Sequence, residues 1–136
     1  MFTTIQTQHP QAAYEMNTLR TLPIAIEVQL DRKLAATLSA LSPDTPWGER
    51  QIAARKLGNM RSAEALPWLL AALARDPFWM VRCAIIQALE MIGDPGAIPT
   101  LREVAKSDGF QVVRSHAAKA IERLSQWGKY QYWMKV

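Results

Sequence analysis

Residues that carry chemistry are scarce in this chain of 136 residues, which has one cysteine, two histidines and six glycines. A single thiol, Cys83, excludes an internal disulfide and fits a reducing compartment. His9, His116 and one cysteine at these spacings do not make a metal set. The glycines form no phosphate-cradling loop, there is no GxSxG, and no carboxylate pair stands apart from the repeat pattern described below. The longest apolar run, Ala65 to Ala74, is about half of what a bilayer crossing needs. Met1 to Gln8 has neither a basic start nor an apolar h-region, as a secretory signal would. Nor does a strand pattern longer than a few residues occur outside Met1 to Thr7. The expectations are a cytoplasmic protein with no membrane span, no metal and no built-in catalytic motif.

What is present is apolar and evenly charged. Hydrophobic residues make up 49% and charged residues 21%, too apolar for a disordered chain and ordinary for a globular domain. The net charge of +4 is spread as −1 over residues 1–46, +3 over 47–124 and +2 from Lys129 and Lys135 in the tail. Acidic and basic residues alternate through the middle of the chain, the pattern of a solvated helix face.

The strongest signal is a period of 32 residues. Asp44, Asp76 and Asp108 keep it, as do Arg50, Arg82 and Arg114, each six residues after its Asp. So do Leu34, Leu66 and Ile98; Leu41, Leu73 and Ala105; Leu57, Leu89 and Ile121; and the pairs Trp47/Trp79, Pro67/Pro99 and Phe78/Phe110. A period of this length marks a stacked helical array in which each unit buries its apolar face against its neighbours. Within a unit, helix A is expected to open at Thr45-Pro46 or Asp76-Pro77, with an N-capping oxygen before a proline in the first turn. Val81, Ala84, Ile85, Ala88, Leu89 and Ile92 form its inward stripe, matched one unit earlier by Ile52, Ala53, Leu57 and Met60. Gly93-Asp94-Pro95 stops A and starts helix B, as Ser62 does in the preceding unit. Helix B turns Leu66, Leu69, Leu70 and Leu73 inward, or Ile98, Leu101 and Ala105.

The ends are less regular. Pro23 to Leu41 fits a first helix B, residues 11–20 a degenerate first helix A, and Phe110 to Leu124 a last helix A without a B. This divides the chain into a leader, 1–22, a repeat domain, 23–124, and an aromatic tail, 125–136, expected to cap the stack or dock a partner. The fold class expected is all-α, about three and a half helical hairpins with seven helices.

The run from Val81 to Asp94, followed by Pro95-Gly96-Ala97-Ile98-Pro99-Thr100-Leu101, resembles HEAT repeats of the short class, and more closely the HEAT-like repeats of the phycobilisome-lyase type. The likeness covers about residues 31–124. It implies a right-handed α-solenoid with A helices outside and B helices lining a concave face. Some members of that group attach or detach bilin pigments on phycobiliproteins, and many others are scaffolds or assembly factors. In this class the Asp/Arg positions (Asp44 with Arg50, Asp76 with Arg82, Asp108 with Arg114) resemble a structural ladder. There the Asp caps helix A, and the Arg reaches a carboxylate of its own or the next unit.

The candidate binding residues lie on helix B. Trp68 falls off the core stripe, and its repeat equivalents are Ala36 and Thr100, so the repeat itself does not call for an aromatic there. With Ala65, Ala71 and Ala72 it makes helix B apolar nearly all round, which normally means that both sides are covered. Glu64, Arg75, Arg102, Glu103 and Lys106 surround it, with Arg32 opposite on the first helix B, and Trp127 and Trp133 stand in the tail. Arg75 and Arg102 suit carboxylate or propionate groups, because a guanidinium binds them bidentately. A catalytic Cys83/His116 pair would need the two to meet across adjacent A helices.

The function expected is a small protein-binding adaptor or assembly factor that works through its helix-B face without a cofactor. Its partner could be a subunit of a phycobiliprotein or other photosynthetic assembly. One alternative is a lyase-like, pigment-handling subunit that takes a bilin or another tetrapyrrole, the only enzymatic reading. A second is a weak nucleic-acid binder, disfavoured because Glu64, Glu90, Glu103 and Glu122 interrupt the basic residues.

Overall fold

A computed structural model describes the backbone of residues 24–135 and the side chains of residues 32–126. Among these residues there are six α-helices and no strand: α1 (Ile24–Ser39), α2 (Trp47–Met60), α3 (Leu66–Arg75), α4 (Trp79–Ile92), α5 (Ile98–Ser107) and α6 (Gln111–Lys135). Short 3-10 turns, Ala63–Ala65 and Pro95–Ala97, lead into α3 and α5. The chain divides into two compact units, Met1–Ala36 and Thr37–Val136. Most of α1 belongs to the first, and α2 to α6 belong to the second. No helix among the described residues is long and apolar enough to cross a membrane. The expected helix over residues 11–20 lies outside the described residues.

In the second unit the A helices α2, α4 and α6 pack side by side as one layer, with α3 laid against α4 and α5 against α6. The period of 32 is what aligns them, because each apolar stripe meets the same stripe one unit on. Leu57, Leu69, Leu73, Val81, Ile85, Ile86, Leu89, Leu101, Val113 and Leu124 are fully buried in this core. Small residues let the layer close up. A Cβ on Gly58 of α2 would lie 2.9 Å from the Cα of Ala88 on α4, so only glycine allows the approach. Helices α2 to α6 thus form an all-α solenoid of HEAT-like hairpins.

Four details differ from the reading of the sequence. Neither proline begins a helix: Pro46 is itself the N-cap of α2, and α4 starts at Trp79 with Phe78 as its N-cap, neither with a side-chain cap. Ser62 likewise makes no side-chain cap hydrogen bond, whereas Asp94 accepts one from the Gly96 N–H at 2.8 Å. Ile52 is not a core residue. It is 53% exposed, with Glu49, Lys56 and Asn59 also exposed, because the equivalent positions on α4 are those that pack against α2, and this face of α2 points away from α4. Finally, α6 does not stop near Leu124 but runs unbroken to Lys135.

The Arg–Asp rungs and the helix-B face

Helices α3 and α5 each end on the aspartate of the repeat. The Asp76 N–H closes α3 on the Ala72 carbonyl at 2.9 Å, and the Asp108 N–H closes α5 on Val104 at 3.0 Å. Asp76 then adopts an extended backbone ahead of Pro77, which disfavours helix at the residue before it. This leaves its carboxylate free to turn back, and its Oδ1 accepts the Phe78 N–H at 3.0 Å, as Asp108 accepts from Phe110 at 3.0 Å.

The arginine that meets this carboxylate comes from the preceding A helix, 26 residues earlier. Arg50 Nε donates to Asp76 Oδ2 at 2.8 Å and Nη2 to Oδ1 at 3.2 Å. Arg82 repeats the fork on Asp108 at 2.7 and 2.9 Å. The third nitrogen holds the arginine's own unit, with Nη1 of Arg50, Arg82 and Arg114 donating to the carbonyls of Thr45, Asp76 and Asp108. An aromatic completes each rung. The Arg50 guanidinium lies 5.7 Å from the Phe78 ring centroid and Arg82 lies 5.8 Å from Phe110. Trp47 stacks on Phe78 at 5.7 Å and Trp79 on Phe110 at 6.0 Å. Planar, bidentate and stacked contacts of this kind need arginine, not lysine.

Burial alone would raise the Asp108 carboxyl. The Arg82 fork, the Phe110 N–H and the charges of Arg82 and Arg114 outweigh it and hold the group below its ordinary value. Next to this rung, Cys83 is buried on α4. Burial first, and Asp108 second, push its thiol up against the opposing pull of Arg82, so it is a poor nucleophile. His116 is half-buried on α6. No group of three or more His, Cys, Asp and Glu among the described residues could hold a metal ion.

Among the described residues the series is open at both ends. Asp44 is exposed and has no arginine among the described residues, since Thr18 stands where the pattern would place one. Arg114 has no carboxylate there either.

On the helix-B face, Trp68 is 57% exposed, the most open of the large apolar side chains described. Among the described residues nothing covers the second side of α3: Ala65 and Ala72 are buried, but Pro67, Ala71 and Ala74 are exposed beside Trp68. Glu64 and Arg75 are exposed at the two ends of this strip, Arg75 making one long hydrogen bond of 3.4 Å to the Leu41 carbonyl. Arg102, Glu103 and Lys106 are exposed on α5. Arg32 is exposed on α1, in the other unit, and the side chains of Trp127 and Trp133 lie outside the described residues.

A cleft of about 400 Å³ opens between α3 and α5, lined by Leu73, Ala74, Thr100, Glu103, Val104 and Ser107, with Asp76, Arg82 and Asp108 as its floor. Its one arginine is already held by Asp108. The cleft therefore offers hydrogen-bond acceptors and one uncommitted carboxylate, Glu103, and no free cation for the two propionates of a tetrapyrrole.

Sequence reasoning missed the phenylalanines as rung members. Their spacing of 28 after each arginine was visible, but period alone does not say which side chains of a repeat touch.

Paired A and B hairpins joined by recurring Arg–Asp–Phe rungs define a helical-repeat array. The family model described as HEAT repeats matches residues 34–122, and the chain belongs to that family. None of the curated proteins matches it in sequence.

Proposed function

We propose that this protein is a small HEAT-repeat adaptor that holds another protein against its helix-B face, formed by α3 and α5. The exposure of Trp68 supports this most directly. A tryptophan more than half open to water, on an apolar strip of Pro67, Ala71 and Ala74, is the kind of group that supplies most of an interface's energy once a partner covers it. Arg75, Arg102, Glu103, Lys106 and Glu64 would form a polar rim that sets orientation and excludes other partners. The buried Arg50–Asp76 and half-buried Arg82–Asp108 rungs tie the ends of α3 and α5 to the A helices and stiffen this face, so little ordering would accompany binding.

The test is retention of proteins from native lysate on the tagged chain and on its Trp68→Ala variant. A stoichiometric protein bound by the first and lost by the second, at unchanged melting temperature, is the expected result. Retention that ignores Trp68 would move the interface elsewhere. A visible absorption band in the eluate, or phycobiliprotein subunits there, would turn attention to pigment handling.

A further inference from the structure

We propose that Arg114 is an open rung that captures an Asp-x-Phe segment of a partner protein. The molecule itself supplies the template twice. Asp76-Pro77-Phe78 seats on Arg50, and Asp108-Gly109-Phe110 seats on Arg82. In each case Nε and Nη2 take both carboxylate oxygens, the phenylalanine N–H steadies one of them, and its ring lies over the guanidinium. Arg114 is prepared in the same way. Its Nη1 donates to the Asp108 carbonyl as Arg82 Nη1 donates to that of Asp76, and Nε and Nη2 have no partner among the described residues.

None of the described residues closes this rung. The pattern would call for an aspartate at position 140, yet α6 continues straight to Lys135 past the place where α2 and α4 turn back. The helix end stands 21 residues, about 30 Å, beyond Arg114 along the axis, out of reach of a residue five positions further on. A second copy is a poor fit too. Both of its Asp-x-Phe segments are built into its own rungs, and Asp44-Thr45-Pro46 has neither an aromatic nor an N–H at its third position. Gln111 replaces the tryptophan of the internal rungs, so recognition rests on the carboxylate and the ring over Arg114, and not on a stacked indole. This surface is separate from the helix-B face and does not depend on it.

The experiment is NMR titration of the full chain, followed at the Arg114 Nε–Hε signal, with blocked peptides containing Asp-Pro-Phe-Trp, Asn-Pro-Phe-Trp or Asp-Pro-Ala-Trp. The first should move the signal saturably. The Asn peptide should bind about tenfold or more weakly, because a charge-assisted fork is lost, and the Ala peptide should fall between them. Arg114→Lys, followed through the backbone amide signals of residues 109–117 in both proteins, should weaken the first peptide to the level of the Asn peptide. Should that variant unfold, the wild-type comparison of Asp and Asn peptides decides alone. Equal response to both peptides, or none in the folded protein, overturns the proposal. So does an Arg114 signal that shifts with protein concentration and ceases to in Asp44→Asn, which would make a second copy the occupant.

Discussion

Arg61 and Gly93 stand one period apart and end their A helices in the same way, each with a left-handed backbone, at φ 51° and φ 76°. Glycine carries no Cβ penalty there, whereas an L-residue is strained by about 1–2 kcal/mol. Arg61→Gly should therefore stabilise the protein by about 0.5–1 kcal/mol, the gain being trimmed by the greater freedom of glycine in the unfolded chain. Gly93→Ala should cost about 1 kcal/mol. Urea unfolding of both variants checks this, and a lower midpoint for Arg61→Gly would mean that the turn at 61 is held by its arginine side chain.

Gly58 provides a second backbone test. Alanine is the better helix former by about 1 kcal/mol in a helix interior, so propensity alone predicts a gain, if a smaller one, for Gly58→Ala in the last turn of α2. The Cβ would meet Ala88 Cα at 2.9 Å and Met91 Sδ at 3.1 Å, and backbone cannot move aside cheaply. Overpacking of this kind costs about 1–3 kcal/mol, so a net loss of about 1 kcal/mol is expected. A stabilised variant would show that α2 and α4 stand further apart.

Much of this architecture was legible because a repeat writes its packing into its period. The positions of Leu57, Leu69, Leu73, Leu89 and Leu101 in the core follow from register alone, and so does the alternation of A and B helices. The helix starts were not legible, because Asp76 and Pro77 carry a capping signature while the structure spends that carboxylate on Arg50 and the Phe78 N–H. The face of Ile52 was hidden for a different reason. Repeat equivalence with buried Ala84 predicts burial, but among the described residues no preceding A helix lies against this face of α2. The exposure of Trp68 could be anticipated as a departure from the repeat. The open fork of Arg114 could not, since it depends on α6 continuing where its predecessors turn.

The Asp108 rung makes stability depend on pH in a definite direction. Its carboxyl lies below the ordinary value in the folded state, so the contribution is fully present above the unfolded value near 3.8 and is lost as pH falls through the lower folded value. Chemical unfolding across pH 2–6 should show a steep loss below about pH 4. In Asp108→Asn, stability should be lower at neutral pH, because the half-buried Arg82 is left uncompensated, and the acid-side slope should be shallower. Parallel curves for the two proteins would assign the acid loss to other carboxylates.

Leu69 and Trp68 are neighbours on α3 with opposite environments, one fully buried and the other 57% exposed. Removing the leucine side chain opens a cavity among residues that cannot fully collapse, so Leu69→Ala should cost about 2–5 kcal/mol. Trp68→Ala, despite deleting a larger apolar group, should stay within about 0.5 kcal/mol of wild type, because water already reaches that side chain. The contrast matters for function as well as fold. A tryptophan that contributes little to stability yet sits on an apolar strip with a charged rim is available for a partner to bury, whereas a large loss on Trp68→Ala would make it part of the core and remove the main support for the helix-B face. Thermal melts of the two variants side by side make the distinction.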